Sequence, residues 1–481
     1  MEEKIKQINE EIANKNISAD AKEIIASLLN IVTTLYTENQ KLKKQIQELK
    51  DELNNLKWEK GKPKINGNKK GSDYSAKEEN NSKWRKKWMK KSKKSEIHID
   101  REEVVDVEKW ILPEDVKFHW YVERVIQNVT IRSANVKYKL KKYYSKSTWK
   151  WYTAELPEEL KNTNFHPELK AQIIRLYYEF NMTEPQIFDF LQQAWIVISI
   201  WQIAETLCKR SIKEEWKPIN NNNHHELFSQ ERIAIFRAMI MKMLYAQIDD
   251  SWGRVNWINH YMTVIGCPFS SVFFINKKKN REMVRQMLSL SDEEVLVLLA
   301  DDAGQFDKVT TYRQLCWIHE IRHYKKMIPL FEPHKEILSL FISDVWGFYF
   351  KLKEYKQNPT LATKKILDAK FDTLMLGNTW YDELDKRIWL TRKKKINLLT
   401  VLDFPEVPIH NNWAELDIRK YATKRKISIW PRSPNGKEAW ENYYSIMWTC
   451  KKLWICFYDY LVDIISWKNS MPKLAELIFV A

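Results

Sequence analysis

Glycine is scarce in this sequence. The 481 residues include 9 Gly but 22 Trp. At the average share of about 7%, a chain of this length would hold roughly 34 glycines. Glycine serves where φ is positive or where backbones approach closely, and tryptophan is poorly suited to both settings. The shortage of glycine and the excess of tryptophan therefore need a common explanation.

Cysteine pairs and long apolar runs are also missing. The five cysteines are scattered and include no Cys-x-x-Cys pair, so we expect neither a disulfide framework nor a structural zinc ribbon. The sequence contains no run of about 18 uncharged apolar residues, so no membrane-spanning helix is predicted. The N-terminus, MEEKIKQINEEI, lacks the apolar stretch of a signal peptide. These absences predict a cytoplasmic protein.

Basic residues are in excess. Lys and Arg number 79 against 63 Asp and Glu, and the formal net charge is +16. Such an excess predicts a polyanionic partner, most simply nucleic acid. Hydrophobic residues make up 44% of the chain, which is enough for a sizeable core.

Residues 1–58 contain a heptad pattern that predicts a dimerising coiled coil. β-branched residues and one Asn occupy one seam and Leu occupies the other, which favours two parallel strands with the Asn fixing the register. The alternative is one amphipathic helix that packs on its own chain. The seams are Ile25, Val32, Asn39, Ile46 and Leu53, and Leu28, Leu35, Leu42, Leu49 and Leu56.

Residues 59–98 predict a disordered basic linker. They hold 14 Lys/Arg and 5 Asp/Glu, together with Gly, Asn and Ser, and show no apolar period. Non-specific phosphate binding through counterion release is one role, and a solvated tether is the other. The two roles are compatible. The candidate DNA-binding lysines of this linker are Lys86, Lys87, Lys90 and Lys91.

Two further regions precede the centre of the chain. Residues 99–165 predict a small β-rich domain, with alternating strands at 121–131 and 136–144. Residues 166–243 predict helices, two of which start near Thr183 and Ser199 on either side of a break. This pattern predicts a helix-turn-helix that reads DNA, and the alternative is an ordinary helical hairpin in a core.

Asp pairs end two of the predicted strands. The apolar stretch from Leu244 ends in Asp249–Asp250, and the apolar run 294–300 ends in Asp301–Asp302. Adjacent strands would bring Asp249 and Asp301 together, where two ionised carboxylates need a cation between them. Glu415, at a predicted loop-to-helix start, is the candidate third ligand of a two-metal site. The alternative is that each Asp is an ordinary turn residue.

A predicted helix after the second pair carries Cys316, His319 and His323. This spacing fits a metal triplet, but the interpretation that we favour is a packed helix that positions the second Asp.

Several stretches, in the right order, resemble the bacterial DDE transposases of the insertion-sequence-66 type. The most specific is residues 407–428, which contain His410-Asn411-Asn412-x-x-Glu415, a signature of that family. The other matching stretches are residues 248–251, 295–306, 316–326 and 451–465. The resemblance runs from the N-terminal coil to the C-terminus.

The resemblance implies a mixed α/β fold. A ribonuclease-H-like catalytic core would occupy residues 244–425, with a helical insertion at about 325–400 and a C-terminal helical tail at 426–481. It implies that Asp249, Asp301 and Glu415 hold two Mg²⁺ (or Mn²⁺) ions. Asp302 is the alternative to Asp301. Asp301 fits better, because in the family an aromatic residue lies five positions after the catalytic Asp, and Phe306 lies five positions after Asp301.

The implied activity is metal-dependent cleavage of DNA at the ends of an insertion sequence, followed by transfer of the freed 3′-hydroxyl to target DNA. The basic residues that follow the third carboxylate would contact phosphates, and a solvated helix face is the alternative. The implied partners are DNA, a second copy of the chain and accessory proteins of the element, and the implied location is the nucleoid. These basic residues are Arg419, Lys424 and Arg425.

The sequence departs from the family in one respect. Many members carry a Cys-x-x-Cys zinc module before the helical region, whereas this chain has no Cys before Cys208. Zinc is therefore not expected. Two other functions stay open, namely a decayed, non-catalytic DNA-binding dimer and a related nuclease without strand transfer.

Several tryptophans lie where the resemblance predicts Gly or another small residue, whereas Trp317, Trp346 and Trp440 fit their context. Our hypothesis is that the gene uses a code in which UGA specifies glycine, and that these codons are written here as Trp. The alternatives are unusual Trp usage in the lineage or a decaying element. The tryptophans in question include Trp120, Trp201, Trp252, Trp257, Trp380, Trp430 and Trp454.

Overall fold

The computed structural model describes residues 19–56, 99, 101–105, 120, 121, 124, 126, 131–157, 160, 161, 163–208, 224–289 and 297–481. The predicted basic linker, with its four candidate lysines, lies outside these residues. Among the helices of the described residues, none is both long enough and apolar enough to cross a membrane.

The described residues form fifteen α-helices and seven β-strands. The helices are α1 Ala19–Leu56, α2 Pro167–Tyr178, α3 Glu184–Gln193, α4 Ile200–Leu207, α5 His224–Lys242, α6 Arg281–Leu288, α7 Trp317–Lys325, α8 Glu332–Gln357, α9 Leu361–Leu374, α10 Asp382–Arg392, α11 Lys395–Leu398, α12 Asn412–Ser428, α13 Pro434–Lys452, α14 Phe457–Ile465 and α15 Leu474–Val480. The strands are β1 Lys142–Ser145, β2 Lys150–Thr153, β3 Tyr245–Val255, β4 Ile258–Gly266, β5 Ser271–Asn276, β6 Val297–Ala300 and β7 Tyr312–Leu315.

Helix α1 turns a polar face toward the rest of the chain. Asn30 and Thr33 are buried, and the Asn30 amide Nδ2 donates a hydrogen bond to Asp382 Oδ1 at 3.1 Å. The leucine seam stays exposed, with Leu35 60% and Leu49 63% accessible. The predicted helix is confirmed. The helix thus contacts its own chain through this polar face, as in the alternative interpretation, and pairing of two chains through the seam stays a prediction.

Among the described residues before α2, the β-structure is a single hairpin. β1 and β2 form an antiparallel hairpin in which Lys142 pairs with Thr153. The predicted strand 136–144 is wrong over most of its length, because residues 136–141 have no strand partner among the described residues and an alternating pattern alone does not pair backbone groups. In the predicted strand 121–131, the described residues have no regular structure.

Helices α3 and α4 begin where the capping signals predict. Thr183 caps α3 and Ser199 caps α4, and each forms a reciprocal capping box with the Gln three residues later. Exposed Trp195 and Val197 lie in the break between them. The helix pair is confirmed, and its DNA-reading role stays a prediction.

Five strands form the central mixed sheet, in the order β5-β4-β3-β6-β7. β3, β4 and β5 are antiparallel neighbours, whereas β6 runs parallel to β3 and β7 runs parallel to β6. β6 is buried along its whole length, as an apolar run between two neighbours requires. β7 was not predicted, because Tyr312–Leu315 is short and carries two polar residues.

Strand β3 continues past the first Asp pair, so the prediction that it ends at Asp249–Asp250 is wrong. Its pairing with β4 persists from Gln247 to Val255, and the tight turn Asn256–Trp257 then reverses the chain. The parallel partner stops earlier, with Gln247 opposite Leu299 as the last pair. Asp249 therefore lies on a long strand at the level where β6 ends.

The C-terminal helices form part of the core. Three α13 side chains accept hydrogen bonds from alternate backbone N–H groups of the edge strand β5: Thr449 from Ser271 at 3.3 Å, Ser445 from Phe273 at 2.9 Å and Glu441 from Ile275 at 2.6 Å. Residues four apart on the helix thus match residues two apart on the strand. Helix α13 covers the edge that would otherwise remain unpaired.

Helices α7 to α11 lie between β7 and α12 in the chain, in the part of the sequence predicted to be helical. Their apolar side chains form a separate cluster that includes Trp317, Phe348 and Leu384. Trp317 is fully buried, and its indole Nε1 donates to the Leu398 carbonyl at 2.9 Å. This cluster holds α7 against the end of β7.

Candidate active site

The two Asp pairs lie at the same level of neighbouring parallel strands. Because Gln247 of β3 pairs with Leu299 of β6, Asp249 and Asp301 each come two residues after that pair. Side chains two residues apart share a face of the sheet, and neighbouring strands are about 4.8 Å apart. The register therefore brings the side chains of Asp249 and Asp301 to the same place.

The second Asp of each pair has a cationic partner. Asp250 accepts hydrogen bonds from Lys279 Nζ at 2.7 Å and from Gln305 Nε2 at 2.9 Å, and Asp302 forms a salt bridge with Lys394. Among the described residues, neither Asp249 nor Asp301 forms a salt bridge. The first Asp of each pair thus has no salt bridge there, although Arg313 donates to the Asp301 carbonyl at 2.5 Å and the Asp301 carboxylate opposes the lowering of the Arg313 pKa by burial.

The Asp249 carboxyl lies in a negative and buried environment. Its pKa is raised to about 7, chiefly by burial and also by the carboxylates of Glu415, Asp301 and Asp250. A hydrogen bond from the Asp250 N–H to Asp249 Oδ1, at 2.8 Å, opposes this rise. Burial and the neighbouring carboxylates therefore disfavour ionisation of Asp249 unless a cation is bound beside it.

Asn411, the residue immediately before α12, holds Glu415 close to Asp249. Asn411 is buried, and its Nδ2 donates to the Ile248 carbonyl, one residue before Asp249, at 2.7 Å. The Glu415 N–H donates to the Asn411 carbonyl at 3.2 Å in the first turn of α12. The sequence predicted Glu415 at a loop-to-helix start, and the structure has it in that position.

Two residues of α7 flank Glu415. His319 Nδ1 lies 3.7 Å from Glu415 Oε1, and Arg322 Nη2 lies 3.6 Å from Oε2. Burial lowers the pKa of His319 below its usual value, and the Glu415 carboxylate opposes this shift. Arg322 was not among the predicted site residues, although it shares a helix face with His319 three residues earlier, and that spacing was the available signal.

The predicted triplet of Cys316, His319 and His323 does not assemble as one cluster. Ligand atoms of Cys316, His319 and Glu415 instead lie within 4.8 Å of one another. Burial raises the pKa of the Cys316 thiol to about 12, and its Sγ accepts a hydrogen bond from the Asn411 N–H at 3.3 Å. Cys316 therefore acts here as a structural contact to the start of α12.

The predicted phosphate contacts on α12 differ in exposure. Arg419 is exposed, and Arg425 donates to Ser251 Oγ at 3.3 Å beside the Asp pair. Lys424 is buried, with its Nζ donating to the Met182 carbonyl at 2.9 Å and lying 3.4 Å from the centre of the Tyr177 ring. In this conformation Lys424 binds the helical region, so its geometry gives no support to a phosphate contact.

Carboxylates contributed by β3, by the residue that follows β6 and by α12 supply hard oxygen ligands of the kind that divalent cations prefer. The chain belongs to a transposase family: the sequence model described as "Transposase IS66 family" matches residues 163–439, more than half of its length. Asp249, Asp301 and Glu415 all lie within the matched range.

A curated relative covers part of the chain. Over 167 residues the chain is 35% identical to an uncharacterized protein, y4jO, of Sinorhizobium fredii. The aligned segment is 35% of this chain and 51% of that protein, so the chain spans about half of the length of this relative.

Proposed function

We propose that this chain is a DDE transposase that cleaves the ends of an insertion sequence and joins them to target DNA. The observation that carries the proposal is the convergence of Asp249, Asp301 and Glu415. The first two share a level of the sheet, and the third acts on the pKa of the first. Family membership supports the substrate, because it implies DNA as the polymer that is cut.

The sheet supports a ribonuclease-H-like core. Three antiparallel strands in sequence order, followed by two parallel strands on the other side of β3, place the first carboxylate on the central strand. The helices α8 to α11 would be the insertion before the third carboxylate. Asp301 is preferred to Asp302 because Asp302 forms a salt bridge with Lys394, a lysine that also bonds to Glu320.

The residues present fit a pair of Mg²⁺ or Mn²⁺ ions. Three carboxylates supply hard oxygen ligands, and the raised pKa of Asp249 is what a buried carboxyl without a counterion would have. When bound, two such ions would activate a water or a 3′-hydroxyl and stabilise the leaving oxygen of an in-line displacement. Asp249, Asp301 and Glu415 would hold them.

The neighbouring side chains would orient this site and the DNA. Arg322 and His319 hold the Glu415 carboxylate from the α7 side, and Asn411 fixes its helix to β3. Arg425 and Arg419 lie on the same helix as Glu415, where positive charge would meet the phosphates that flank the scissile bond. The basic linker with Lys86, Lys87, Lys90 and Lys91 would add non-specific affinity.

The exposed leucine seam of α1 would pair two chains in parallel. Heptad residues Leu35 and Leu49 have no partner among the described residues that covers them, and a second copy of α1 would bury them. A dimer would bring two copies of the carboxylate site to two DNA ends. Accessory proteins of the element would join this assembly.

Strand cleavage by purified protein tests the proposal. The substrate is duplex DNA containing the sequences that flank the gene, with Mg²⁺ or Mn²⁺ added. We expect cleavage and joining to be lost in Asp249→Asn, Asp301→Asn and Glu415→Gln. The matched controls, Asp250→Asn and Asp302→Asn, change the same group at the next residue and should keep most of the activity.

The outcomes separate the alternatives. Full activity in a variant of Asp249, Asp301 or Glu415 would remove that residue from the site. Salt-sensitive DNA binding without cleavage in the unmodified chain would indicate a decayed, non-catalytic dimer. Cleaved ends without joined products would indicate a nuclease.

A further inference from the structure

Tryptophan occupies backbone positions that suit glycine. Eleven non-glycine residues of the described chain have positive φ, and six of them are Trp. A bulky residue in this region is a genuine outlier, because its Cβ crowds the backbone, whereas Gly and Asn enter it at little cost. Three of the remaining five are Asn. The six are Trp149, Trp195, Trp257, Trp380, Trp454 and Trp467, with φ between 55° and 66°.

Three of the six close helices with a motif that depends on glycine. Trp195, Trp454 and Trp467 each stand one residue after the cap of α3, α13 and α14. In each case the next residue donates back across the turn: Ile196 to Leu191 at 3.0 Å, Ile455 to Cys450 at 2.9 Å and Lys468 to Asp463 at 3.2 Å. This is the Schellman motif, whose left-handed residue is usually Gly.

A fourth lies in the turn of the hairpin that carries the first carboxylate. Val255 pairs with Ile258, so Asn256 and Trp257 are the two residues of the loop, with φ of 46° and 66°. Positive φ at both residues defines a type I′ turn, for which Asn-Gly is the strongest sequence preference. The chain has Asn-Trp where that turn favours Asn-Gly.

The indoles at these positions gain little from packing. Trp454 is 95% exposed, Trp195 82% and Trp149 81%. Tryptophans in ordinary helical backbone include both kinds: Trp317 and Trp440 are buried in the core, whereas Trp389 is 54% exposed. Exposure alone therefore does not distinguish the six positions, because Trp151 is 61% exposed in strand β2; their positive φ does.

We propose that the functional protein has glycine at these six positions, encoded by UGA codons that its host reads as glycine. The backbone geometry carries this proposal without any appeal to catalysis. Three of the six tryptophans, Trp257, Trp380 and Trp454, were already candidates from the sequence. The backbone geometry adds Trp149, Trp195 and Trp467. The catalytic hairpin of the functional protein then has an ordinary Asn-Gly turn.

Peptide mass spectrometry of the protein from its own host tests the proposal. Peptides that span positions 195, 257, 454 and 467 should carry Gly, and peptides that span 317 and 440 should carry Trp. The codons should correspond, with UGA at the first group and UGG at the second. Trp at the six positions in the host protein would overturn the proposal.

A recombinant comparison isolates the backbone contribution. Trp454→Gly should raise the melting temperature of the chain, because glycine has no Cβ to crowd the backbone in the left-handed conformation. Trp454→Ala removes the same indole but retains the Cβ, and should give a smaller rise or none. Trp440→Gly, in the core, should lower the melting temperature. Equal effects of Gly and Ala at position 454 would contradict the backbone argument.

Discussion

Asn411 joins the strand of the first carboxylate to the helix of the third. Its Nδ2 donates to the Ile248 carbonyl at 2.7 Å, and its own carbonyl accepts from the Glu415 N–H at 3.2 Å. The neighbour of Asp249 and the backbone of Glu415 are thus both bonded to one buried residue. Since both bonds are to backbone groups, we expect Asn411 to act by positioning Asp249 and Glu415.

Asn411→Ala should weaken catalysis through metal binding. Loss of the bond to Ile248 frees the start of α12, and residues that orient metal ligands typically contribute about 10- to 100-fold in affinity or activity. The Mn²⁺ concentration for half-maximal cleavage should rise by that order. Asn442→Ala, which changes another buried Asn on α13, is the control and should leave that concentration unchanged. An equal shift in both variants would indicate a general loss of stability.

Ser445→Ala should lower the free energy of unfolding without changing the candidate active site. The Ser445 hydroxyl accepts from the Phe273 N–H at 2.9 Å and is fully buried, so its removal leaves an edge-strand donor without a partner. Such a loss costs about 1–3 kcal/mol in the free energy of unfolding. Chemical denaturation measures it. Ser343→Ala on the exposed face of α8 should be close to neutral.

Lys424 should give the stability of the protein a distinctive pH dependence. Burial lowers its pKa to about 7 in the folded chain, whereas an unfolded lysine titrates near pH 10.4. Between these values the unfolded state binds more protons, so this group makes stability rise with pH, by up to about 1.4 kcal/mol per pH unit. Lys424→Met should remove that rise. Identical pH profiles for the two proteins would contradict the burial of the ammonium group.

The leucine seam of α1 should determine the oligomeric state. Leu35→Glu with Leu42→Glu places charges in both copies of a parallel seam, so the variant should be monomeric by light scattering while the parent chain is a dimer. Lys41→Glu, outside both seams, should remain dimeric. A monomeric parent chain would show that the exposed seam does not pair.

Local signals in the sequence predicted much of the helical structure. Thr183 and Ser199 each cap a helix through a residue three positions later, and such signals need no distant partner. The strand prediction for the apolar run 294–300 succeeded at β6, Val297–Ala300, which is buried between two neighbouring strands. The strand prediction failed at residues 136–141, because a strand exists only where another strand accepts its hydrogen bonds.

The sequence indicated the three candidate carboxylates but not the groups that contact them. Asp249, Asp301 and Glu415 followed from the sequence pattern and its family resemblance. The salt bridge of Asp302 with Lys394 and the bond of Asn411 to Ile248 join residues far apart in the chain, and no local pattern encodes them. The burial of Lys424 depends in the same way on Met182 and Tyr177, which belong to another region.

Cleavage of the polypeptide by bound Fe²⁺ tests the proposed metal site directly and requires no DNA substrate. With ascorbate and peroxide, Fe²⁺ in the place of Mg²⁺ generates radicals that cut the backbone near its ligands. The account predicts fragments that end close to residues 249, 301 and 415, suppressed by excess Mg²⁺ and by Asp249→Asn but not by Asp250→Asn. Cuts confined to other parts of the chain, or an unchanged pattern in Asp249→Asn, would contradict it.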